Sequence, residues 1–452
     1  MQKMQKTAMT PLEGPILRGM IQFAVPIALS ALLTMLFSSV DVIVIGQFGH
    51  KNAIAAIGVS ASALNFLIDG LTGLSSGVMV TAGNYYGKGE IQKVRKLMHS
   101  LPLTALFLGG VLSVLAINCS EIILHLLNCP DYLMQDALLY FRIYFLGVPF
   151  TVFTSFLSAV IQAKGNSAIP FLFQIIASVI NILLNLLSVI VFRMDVAGVA
   201  IATVISQILL AAAIFLYMQK QQNEWKIDFK RFRLFAGAEN IFSIGIQASL
   251  EGMILNLSGV IIASAINGFD AAVIAGNSVA STIEGLMVVT FIGFSSAGTV
   301  YISQNAGAGN KERVKKVFVF TISVVFLLGE SAGIVLYLSA SRLLLLFTAD
   351  SATIACAIVR MRYMCLFFGF CGIMNVIGGC LRGLGDARSP LIISILCSVC
   401  FRLTWLFTYA AWRGTVGAIY QSYPICWGLC ALLNFLAFCR LYRKKYLCTG
   451  TS

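Results

Sequence analysis

The sequence predicts an all-α polytopic membrane protein with twelve transmembrane helices in two six-helix bundles related by a pseudo-twofold axis. Three observations predict this class. Hydrophobic residues make up 59% of the 452 residues and charged residues only 11%, whereas soluble proteins normally have about 25% charged residues. Apolar runs of about 20 residues, the length that crosses a bilayer as a helix, recur along the whole chain. Short motifs also occur twice at a constant offset, which indicates a duplicated architecture.

Twelve apolar segments are predicted to cross the membrane. They are residues 20–44, 53–83, 97–118, 137–161, 168–192, 196–218, 240–267, 272–304, 316–338, 354–380, 388–411 and 414–439. The polar segment 219–239 is predicted to be a cytoplasmic connector between an N-lobe at 1–218 and a C-lobe at 240–452. Because each lobe has an even number of spans, both lobes begin on the same side, and the repeat axis is predicted to lie along the membrane normal.

The internal repeat is visible in glycine and proline positions that recur 220 residues apart, a separation that we call the repeat length. The matched pairs are Gly87 and Gly307, Gly89 and Gly309, Gly165 and Gly385, and Pro170 and Pro390. Glycine at the end of a long helix allows a sharp exit, so we interpret these positions as structural turns. No predicted strand precedes either Gly-x-Gly motif, which argues against nucleotide binding. A duplicated helical membrane protein is typical of a transporter.

The 31 Lys and Arg residues are distributed unevenly over the predicted loops. Most of them lie on one side, at the N-terminus and at 88–96, 220–233, 311–316 and 440–445. Because cytoplasmic loops are rich in Lys and Arg, this pattern predicts a multi-pass protein of the cell membrane with both termini in the cytoplasm. Membrane lipids with anionic headgroups, rather than nucleic acid, are the expected partners of the net charge of +13. The first apolar run has full span length without a cleavage site, so no signal peptide is expected.

The sequence has no pattern that predicts an enzyme or a bound cofactor. Phosphate-binding loops, catalytic triads and clusters of metal ligands are missing from it. Cys397 and Cys400 form a C-x-x-C pair on an apolar helix without a second pair, and we interpret them as helix-packing residues. A disulfide between Cys119 and Cys129, which flank one loop, is left open by the sequence.

Several segments together resemble the multidrug and toxic-compound extrusion (MATE) family, and most closely its bacterial DinF-like and unclassified branches. These segments are SSVDVIVIGQFG at 38–49, NYYGKGEIQKVRK at 84–96, KGNSAIP at 164–170, VAGVAIATVISQ at 196–207, ISQNAGAGNKERVKK at 302–316 and RGLGDARSP at 382–390. The resemblance implies two bundles around a central cleft in a monomeric protein. It also implies alternating-access export of cationic or amphipathic compounds in exchange for Na⁺ or H⁺, without a cofactor.

Asp41 is the strongest candidate for coupling. A charged side chain at the bilayer centre costs about 2.5–3.5 kcal/mol on insertion scales, so an intramembrane acid is a functional candidate by default. The resemblance implies that Asp41, in its SSVD context, is the proton- or cation-binding carboxylate of the N-lobe. With neighbouring oxygen ligands it could hold Na⁺. The alternative is an acid that only packs helices together through hydrogen bonds to Asn or Tyr.

Asn181 and Asn185 lie four residues apart, so their amides share one face of the fifth predicted span. The resemblance implies an Asn at position 181 and a carboxylate at position 185. Asn185 departs from that pattern, and a neutral amide cannot take up a proton in the relevant pH range. Either Asp41 works with amide support alone, or part of the coupling lies elsewhere. Interhelical hydrogen bonding without a coupling role is the rival interpretation.

Three further acids are candidates for ion or proton coupling. Glu251 and Glu284 lie near the predicted bilayer midplane in spans seven and eight, and we predict that they form an acidic site in the C-lobe. Here too, packing of a single neutral Glu between helices is the alternative. Asp69 in span two precedes Gly70 and fits either function or packing.

Two other functions compete with ion-coupled drug export. One is a flippase for lipid-linked saccharides, which needs several Arg or Lys in its cleft to bind a pyrophosphate. Few basic residues lie within the predicted spans, namely Arg142, Arg360, Arg362 and Arg402, which disfavours this function. The other is a membrane receptor that transports nothing, which the duplicated twelve-span design and the lack of a soluble sensor domain disfavour.

Overall fold

A computed structural model describes residues 11–50, 53–127, 129–221, 224–227, 234–235 and 239–447, apart from a few side chains between 61 and 72. All regular secondary structure within these ranges is helical. The helices of the first half are α1 (Ile16–Phe48), α2 (Ala53–Gly87), α3 (Ile91–Met98), α4 (Leu101–Asn118), α5 (Ser120–Leu126), α6 (Asp131–Ala163), α7 (Ala168–Leu186) and α8 (Asp195–Lys220). A π-helical turn at Leu187–Val191 extends α7.

The second half repeats this order. Its helices are α9 (Glu239–Ile266), α10 (Ala271–Gly307), α11 (Lys311–Leu338), α12 (Ala340–Leu344), α13 (Ser351–Cys365), α14 (Phe368–Gly383), α15 (Arg388–Ser394), α16 (Arg402–Trp405), α17 (Ala411–Arg413) and α18 (Val416–Tyr446). Two π-helical segments, Ile395–Phe401 and Leu406–Ala410, join α15, α16 and α17 into one rod. Several helix ends, such as Ala163 of α6 and Gly383 of α14, lie one repeat length apart, as the sequence predicts.

The membrane-spanning content agrees with the predicted fold class. Ten helical stretches of the described chain are long and apolar enough to cross a membrane. The pair α13 and α14 forms an eleventh span that is bent by 50° at its break. With the 35-residue α2, each of the twelve predicted spans coincides with a long helix or a bent pair. The all-α polytopic architecture is therefore confirmed.

The repeat is also visible in how helices approach one another. In the first half, the Ser113 hydroxyl on α4 donates a 2.6 Å hydrogen bond to the backbone carbonyl of Phe145 on α6. The corresponding positions, one repeat length later, are Gly333 on α11 and Cys365 on α13. A Cβ on Gly333 would lie only 2.0 Å from the Cys365 carbonyl oxygen. The second copy thus brings the same two backbones into contact without a side chain between them.

The close approach at Gly333 leads to a stability prediction. Gly333→Ala should lower the free energy of unfolding by about 1–3 kcal/mol, because the added methyl forces α11 away from α13. Gly428→Ala on α18 is the matched control, since nothing lies within 4 Å of the position that its added methyl would take. That change should leave stability equal or slightly higher, because Ala favours the helix. Thermal unfolding of the purified protein in detergent measures both, and an unchanged midpoint for Gly333→Ala would contradict the tight contact.

The predicted turns adopt the backbone that glycine allows. Gly89 has φ +71° and Gly309 has φ +72°, and each follows the end of a long helix at Gly87 or Gly307. Gly165 and Gly385 also have positive φ. Pro170 and Pro390 lie in the first turns of α7 and α15, where proline's missing N–H has no intrahelical partner to lose.

By internal contacts the chain divides into an N-unit, Leu29–Ser249, and a C-unit, Met1–Ala28 with Leu250–Ser452. These units differ from the lobes expected at 1–218 and 240–452. The first residues belong to the C-unit because Arg313 donates hydrogen bonds to the carbonyls of Pro11, Glu13 and Gly14. The start of α9 belongs to the N-unit because the carbonyl of Ile241 packs directly against Gly77.

Candidate functional site

The structure brings Asp41, Asn181 and Asn185 together within the N-unit. The Asn185 Nδ2 group on α7 donates hydrogen bonds to the Asp41 carboxylate on α1 and, at 3.3 Å, to Asn181 Oδ1. Asn181 Nδ2 in turn donates to the Thr203 hydroxyl on α8 at 3.4 Å. The i, i+4 pair predicted on α7 therefore links the acid of α1 to α8.

The start of α7 is fixed by Asn166. Its side-chain oxygen accepts hydrogen bonds from the backbone amides of Ala168 and Ile169, at 3.1 and 3.2 Å. Such a contact satisfies amides of the first turn that have no intrahelical partner. Asp386 occupies the corresponding position of the second copy and does the same for Arg388 and Ser389 at the start of α15. This contact fixes where α7 begins, and therefore how far along the helix Asn181 and Asn185 lie.

A polar cavity of about 210 Å³ opens at Asp41 inside the N-unit. Helices α1, α6, α7 and α8 supply its polar lining, with two tyrosines on α6. The polar lining residues are Thr34, Ser38, Asp41, Tyr140, Tyr144, Gln174, Ser178, Asn181, Thr203, Ser206 and Gln207. Most of these side chains carry an oxygen that can accept a hydrogen bond or contact a cation. The cavity can accommodate a small hydrated ion, or part of a larger organic molecule.

The oxygen set around Asp41 fits a proton or a hard cation. Asn185 is fully buried, and its Oδ1 atom accepts no hydrogen bond from any described residue. Hard cations prefer carboxylate, amide and hydroxyl oxygens. Asp41, the Asn185 Oδ1 atom and the Thr203 hydroxyl supply all three types. Because the partners of Asp41 in its hydrogen-bonded chain are neutral amides, no fixed positive charge in that chain holds it ionised.

Unlike Asp41, the acids Glu251 and Glu284 of the C-unit each contact an arginine. Glu284 on α10 receives hydrogen bonds from Arg360 on α13, with Nε at 3.1 and 3.2 Å from the two carboxylate oxygens and Nη2 at 2.7 Å from Oε2. Both side chains are buried, at 5% and 6% exposure. Arg360 also donates to Asn277 and lies near the rings of Tyr420 and Tyr423. Glu284 is therefore one half of a buried, hydrogen-bonded ion pair.

Glu251 forms an ion pair with a different arginine, Arg382. Arg382, in the last turn of α14, donates from Nη1 to the Glu251 carboxylate on α9. The Arg382 side chain is mostly buried in the structure, although it follows the predicted end of span ten at residue 380. Within the described chain no hydrogen bond or ion pair joins Glu251 to Glu284. The expected shared acidic site is thus replaced by two separate ion pairs, because each acid faces a helix that carries an arginine.

The sequence also singled out Asp69 and several cysteines. Asp69 lies on α2, but its side chain is outside the part of the chain that the structure describes. Cys119 and Cys129 are free thiols. Cys397 is buried in an apolar cluster with Cys426 and Cys430, as expected for a packing residue.

Comparison with known proteins identifies the family. A family model described as MatE matches residues 26–187 and 248–405, which is more than half of the chain and both copies of the repeat. The chain belongs to the MATE family of transporters. It is 24% identical over 408 residues to the probable multidrug resistance protein YpnP of Bacillus subtilis (strain 168), covering 90% of this chain and 91% of that relative.

Two further comparisons extend this result. A protein named FAD transporter from Shewanella oneidensis is 22% identical over 422 residues, covering 92% of each chain. Among solved structures, one titled "Crystal structure of MATE in the bent conformation" superposes with a TM-score of 0.91 at 17% identity, covering 100% of both chains. This likeness confirms the twelve-helix MATE fold.

Sequence reasoning missed the arginines of this MATE chain as partners. Arg402 is a third case: it is buried, donates to the Ser258 hydroxyl at 2.7 Å and lies 4.2 Å from the centre of the Tyr423 ring. For one pair a usable signal was present, since Glu284 in span eight coincides with Arg360 in span ten. Opposite charges within the same hydrocarbon layer are expected to pair.

Proposed function

We propose that this MATE protein is a secondary antiporter that exports cationic or amphipathic compounds in exchange for Na⁺ or H⁺ by alternating access. The observation that carries the proposal is the polar N-unit cavity, where Asp41 has only neutral hydrogen-bond partners. A carboxyl in that setting can bind and release a cation or a proton. The charge at Asp41 then changes with the state of the transport cycle.

The proposed role of each residue follows from its contacts. Asp41 takes the coupling ion, and Asn185 orients its carboxylate and supplies a second oxygen. Asn181 holds Asn185 and connects it to α8 through Thr203. In the C-unit, Glu251 and Glu284 neutralise the charges of Arg382 and Arg360. Their role is to stabilise the packing of the helices, and they do not bind the coupling ion. No cofactor is needed, since the ion gradient supplies the free energy.

The proposed setting is the cell membrane, with the protein as a monomer and both termini in the cytoplasm. The excess of Lys and Arg on the side of the termini supports this orientation. Substrates would be small organic molecules, and anionic lipid headgroups would contact the basic side. The relatives named as multidrug resistance proteins support this substrate class.

Reconstitution into liposomes tests the function. Na⁺ and H⁺ gradients are imposed separately, and efflux of a panel of fluorescent organic cations is followed, with FAD included because one relative is named as its transporter. We expect efflux of at least one organic cation under one gradient and none without a gradient. Transport of FAD alone would reassign the substrate class. Transport of nothing under either gradient would contradict the proposal.

The flippase alternative has less support. It needs arginines free to bind a pyrophosphate, whereas Arg360 and Arg382 are each engaged by a glutamate. Movement of a lipid-linked saccharide between leaflets, without any ion gradient, would favour it over the antiporter.

A further inference from the structure

One imidazole connects three helices at the end of the N-unit where α1 finishes. His50 follows α1, and its Nδ1 atom lies 2.6 Å from Asp195 Oδ2 while its Nε2 atom lies 3.0 Å from Asp136 Oδ2. The His50 backbone amide also donates to Asp195 Oδ1 at 3.2 Å. Asp136 belongs to α6 and Asp195 begins α8. We call these three residues the His50 clamp.

The helices joined by the clamp are the ones that line much of the Asp41 cavity. On α6, Asp136 lies one turn before the lining residue Tyr140. On α8, Asp195 lies about two turns before Thr203, and on α1 nine residues separate His50 from Asp41. Of these, the seven from Asp41 to the end of α1 at Phe48 correspond to about 10 Å of helix. The clamp thus fixes the ends of the cavity walls about two to three turns beyond Asp41.

The geometry of the ring selects its protonated form. A neutral imidazole has one N–H donor and one acceptor nitrogen, whereas imidazolium donates from both nitrogens. Because a carboxylate faces each nitrogen, only imidazolium makes two hydrogen bonds in this arrangement. A neutral ring would direct a lone pair at one of the carboxylates.

Among the residues that the structure describes, no third charged side chain forms an ion pair with His50. The groups that face the ring are Asp136 from α6 and Asp195 from α8. Arg193, in the turn before α8, lines a surface depression together with Asp195 and Phe48. Arg193 and Asp195 both have positive φ, +52° and +53°. Side chains other than Gly, Asn and Asp rarely adopt that conformation, so the entry to α8 is held in an unusual shape beside the clamp.

We propose that the His50 clamp is a proton-binding site that regulates the N-unit: protonated His50 holds the ends of α1, α6 and α8 together, and deprotonation releases them. In the orientation proposed above, this end faces the outside of the cell, so external acidity would close the clamp. The inference goes beyond the antiport function, because it holds whichever ion Asp41 takes. The His50 clamp is a second proton-binding site, and the proton that it binds is not transported across the membrane.

The expected pH dependence has a definite sign. The hydrogen bond to Asp195, with further contributions from the charges of Asp195 and Asp136, holds the pKa of His50 above its ordinary value. A group whose pKa is raised on folding stabilises the folded arrangement fully below the ordinary value of about 6.5. That stabilisation is lost as the pH rises through the raised pKa of His50. Opening should therefore begin above about pH 6.5 and be complete above the raised pKa.

The first measurement is the titration of His50 in the full-length protein in lipid nanodiscs. Three histidines are present in the chain, so NMR of ¹⁵N-histidine-labelled protein gives few signals, and the one lost in His50→Gln is His50. We expect a pKa above the ordinary value in the wild type. Asp136→Asn should lower it toward the ordinary value, because one of two negative neighbours is removed. Asp195→Asn tests the other side, and Asn tolerates the positive φ of that position.

The second measurement is hydrogen exchange of the end of α1, around residues 42–50, after correction for the intrinsic pH dependence of exchange. In the wild type, protection should fall as the pH rises through the pKa of His50, by about tenfold for each unit of pKa elevation. His50→Gln should be equally unprotected at all pH values. His125→Gln, an exposed histidine on α5, is the matched control and should behave as the wild type.

Two results would overturn the proposal. One is a wild-type His50 that titrates at its ordinary value and ignores Asp136→Asn. The other is protection at the end of α1 that is the same in His50→Gln and wild type at every pH. Neither readout measures transport, so failure of the antiport proposal and failure of the clamp would be seen separately.

Discussion

Asp41→Asn is expected to reduce gradient-driven efflux to the level of empty liposomes while the protein still folds. Asparagine has the size of aspartate but cannot be ionised, so the cavity loses its only acid among the described lining residues. The neighbouring Asn185 can still hydrogen-bond to the amide oxygen, so the chain of contacts to Asn181 persists. Efflux from proteoliposomes under a Na⁺ or an H⁺ gradient measures the effect, and the yield of folded protein is checked by gel filtration.

Asp270→Asn is the matched control for that experiment. Asp270 is an exposed residue just before α10, and its side chain makes no capping hydrogen bond. The same chemical change there should leave efflux at the wild-type level. If Asp41→Asn vesicles transport as fast as the wild type under either gradient, the coupling role of Asp41 is wrong and the polar cavity has a different purpose.

Breaking the Glu284–Arg360 pair is expected to cause the largest loss of stability. Removing one partner leaves the other as an uncompensated buried charge, which typically costs about 3–5 kcal/mol. Glu284→Gln and Arg360→Met should each lower the thermal midpoint by several degrees. The double variant should lose much less than the sum, because a buried pair can often be replaced by neutral side chains of similar volume. Unfolding is followed with a thiol-reactive fluorescent dye, because buried cysteines of the C-unit such as Cys365 and Cys380 react with it only when they become exposed.

The matched control is an ion pair on the surface. Lys93 and Glu90 are three residues apart, with side chains 54% and 33% exposed and an N–O distance of 2.8 Å. Lys93→Met should not change the midpoint measurably, because exposed pairs are screened by water and salt. Additive losses in the Glu284/Arg360 double variant would show that the two side chains act independently, which contradicts the observed bidentate contact.

The sequence predicted the spans because the hydrophobicity of a single membrane-crossing segment is a local property of the chain. The positive φ of Gly89 and Gly309 was likewise predictable, since a sharp turn after a helix end favours glycine in the left-handed conformation. The break between α13 and α14 was not predicted, because the apolar composition continues through Leu366 and Phe367. Just after the break, Gly369 lies against Glu330 and Phe326 of α11, and a contact between distant segments is not visible in local composition.

The candidate site was predictable only in part. The spacing of Asn181 and Asn185 indicated their shared face, because four residues make about one helical turn. The walls of the cavity on α6, including Tyr140 and Tyr144, were not predicted, since no local pattern distinguishes a tyrosine facing the cavity from one facing lipid. The partner of Glu251 was missed for the same reason, because the rotation and depth of one helix against another decide that Arg382 reaches it.

The two ion pairs of the C-unit have a consequence for how the two copies can change over time. Exchange of Asp41 for a neutral residue of the same size is expected to leave the chain folded, so selection for transport alone would preserve it. Positions 284 and 360 are different, because either single exchange strands a charge inside the bundle. Drift at those two sites must pass through an unstable intermediate or proceed in concert. The N-unit can therefore change the charge at its ion site by single mutations. The C-unit can change the charges at positions 284 and 360 only when both residues change together.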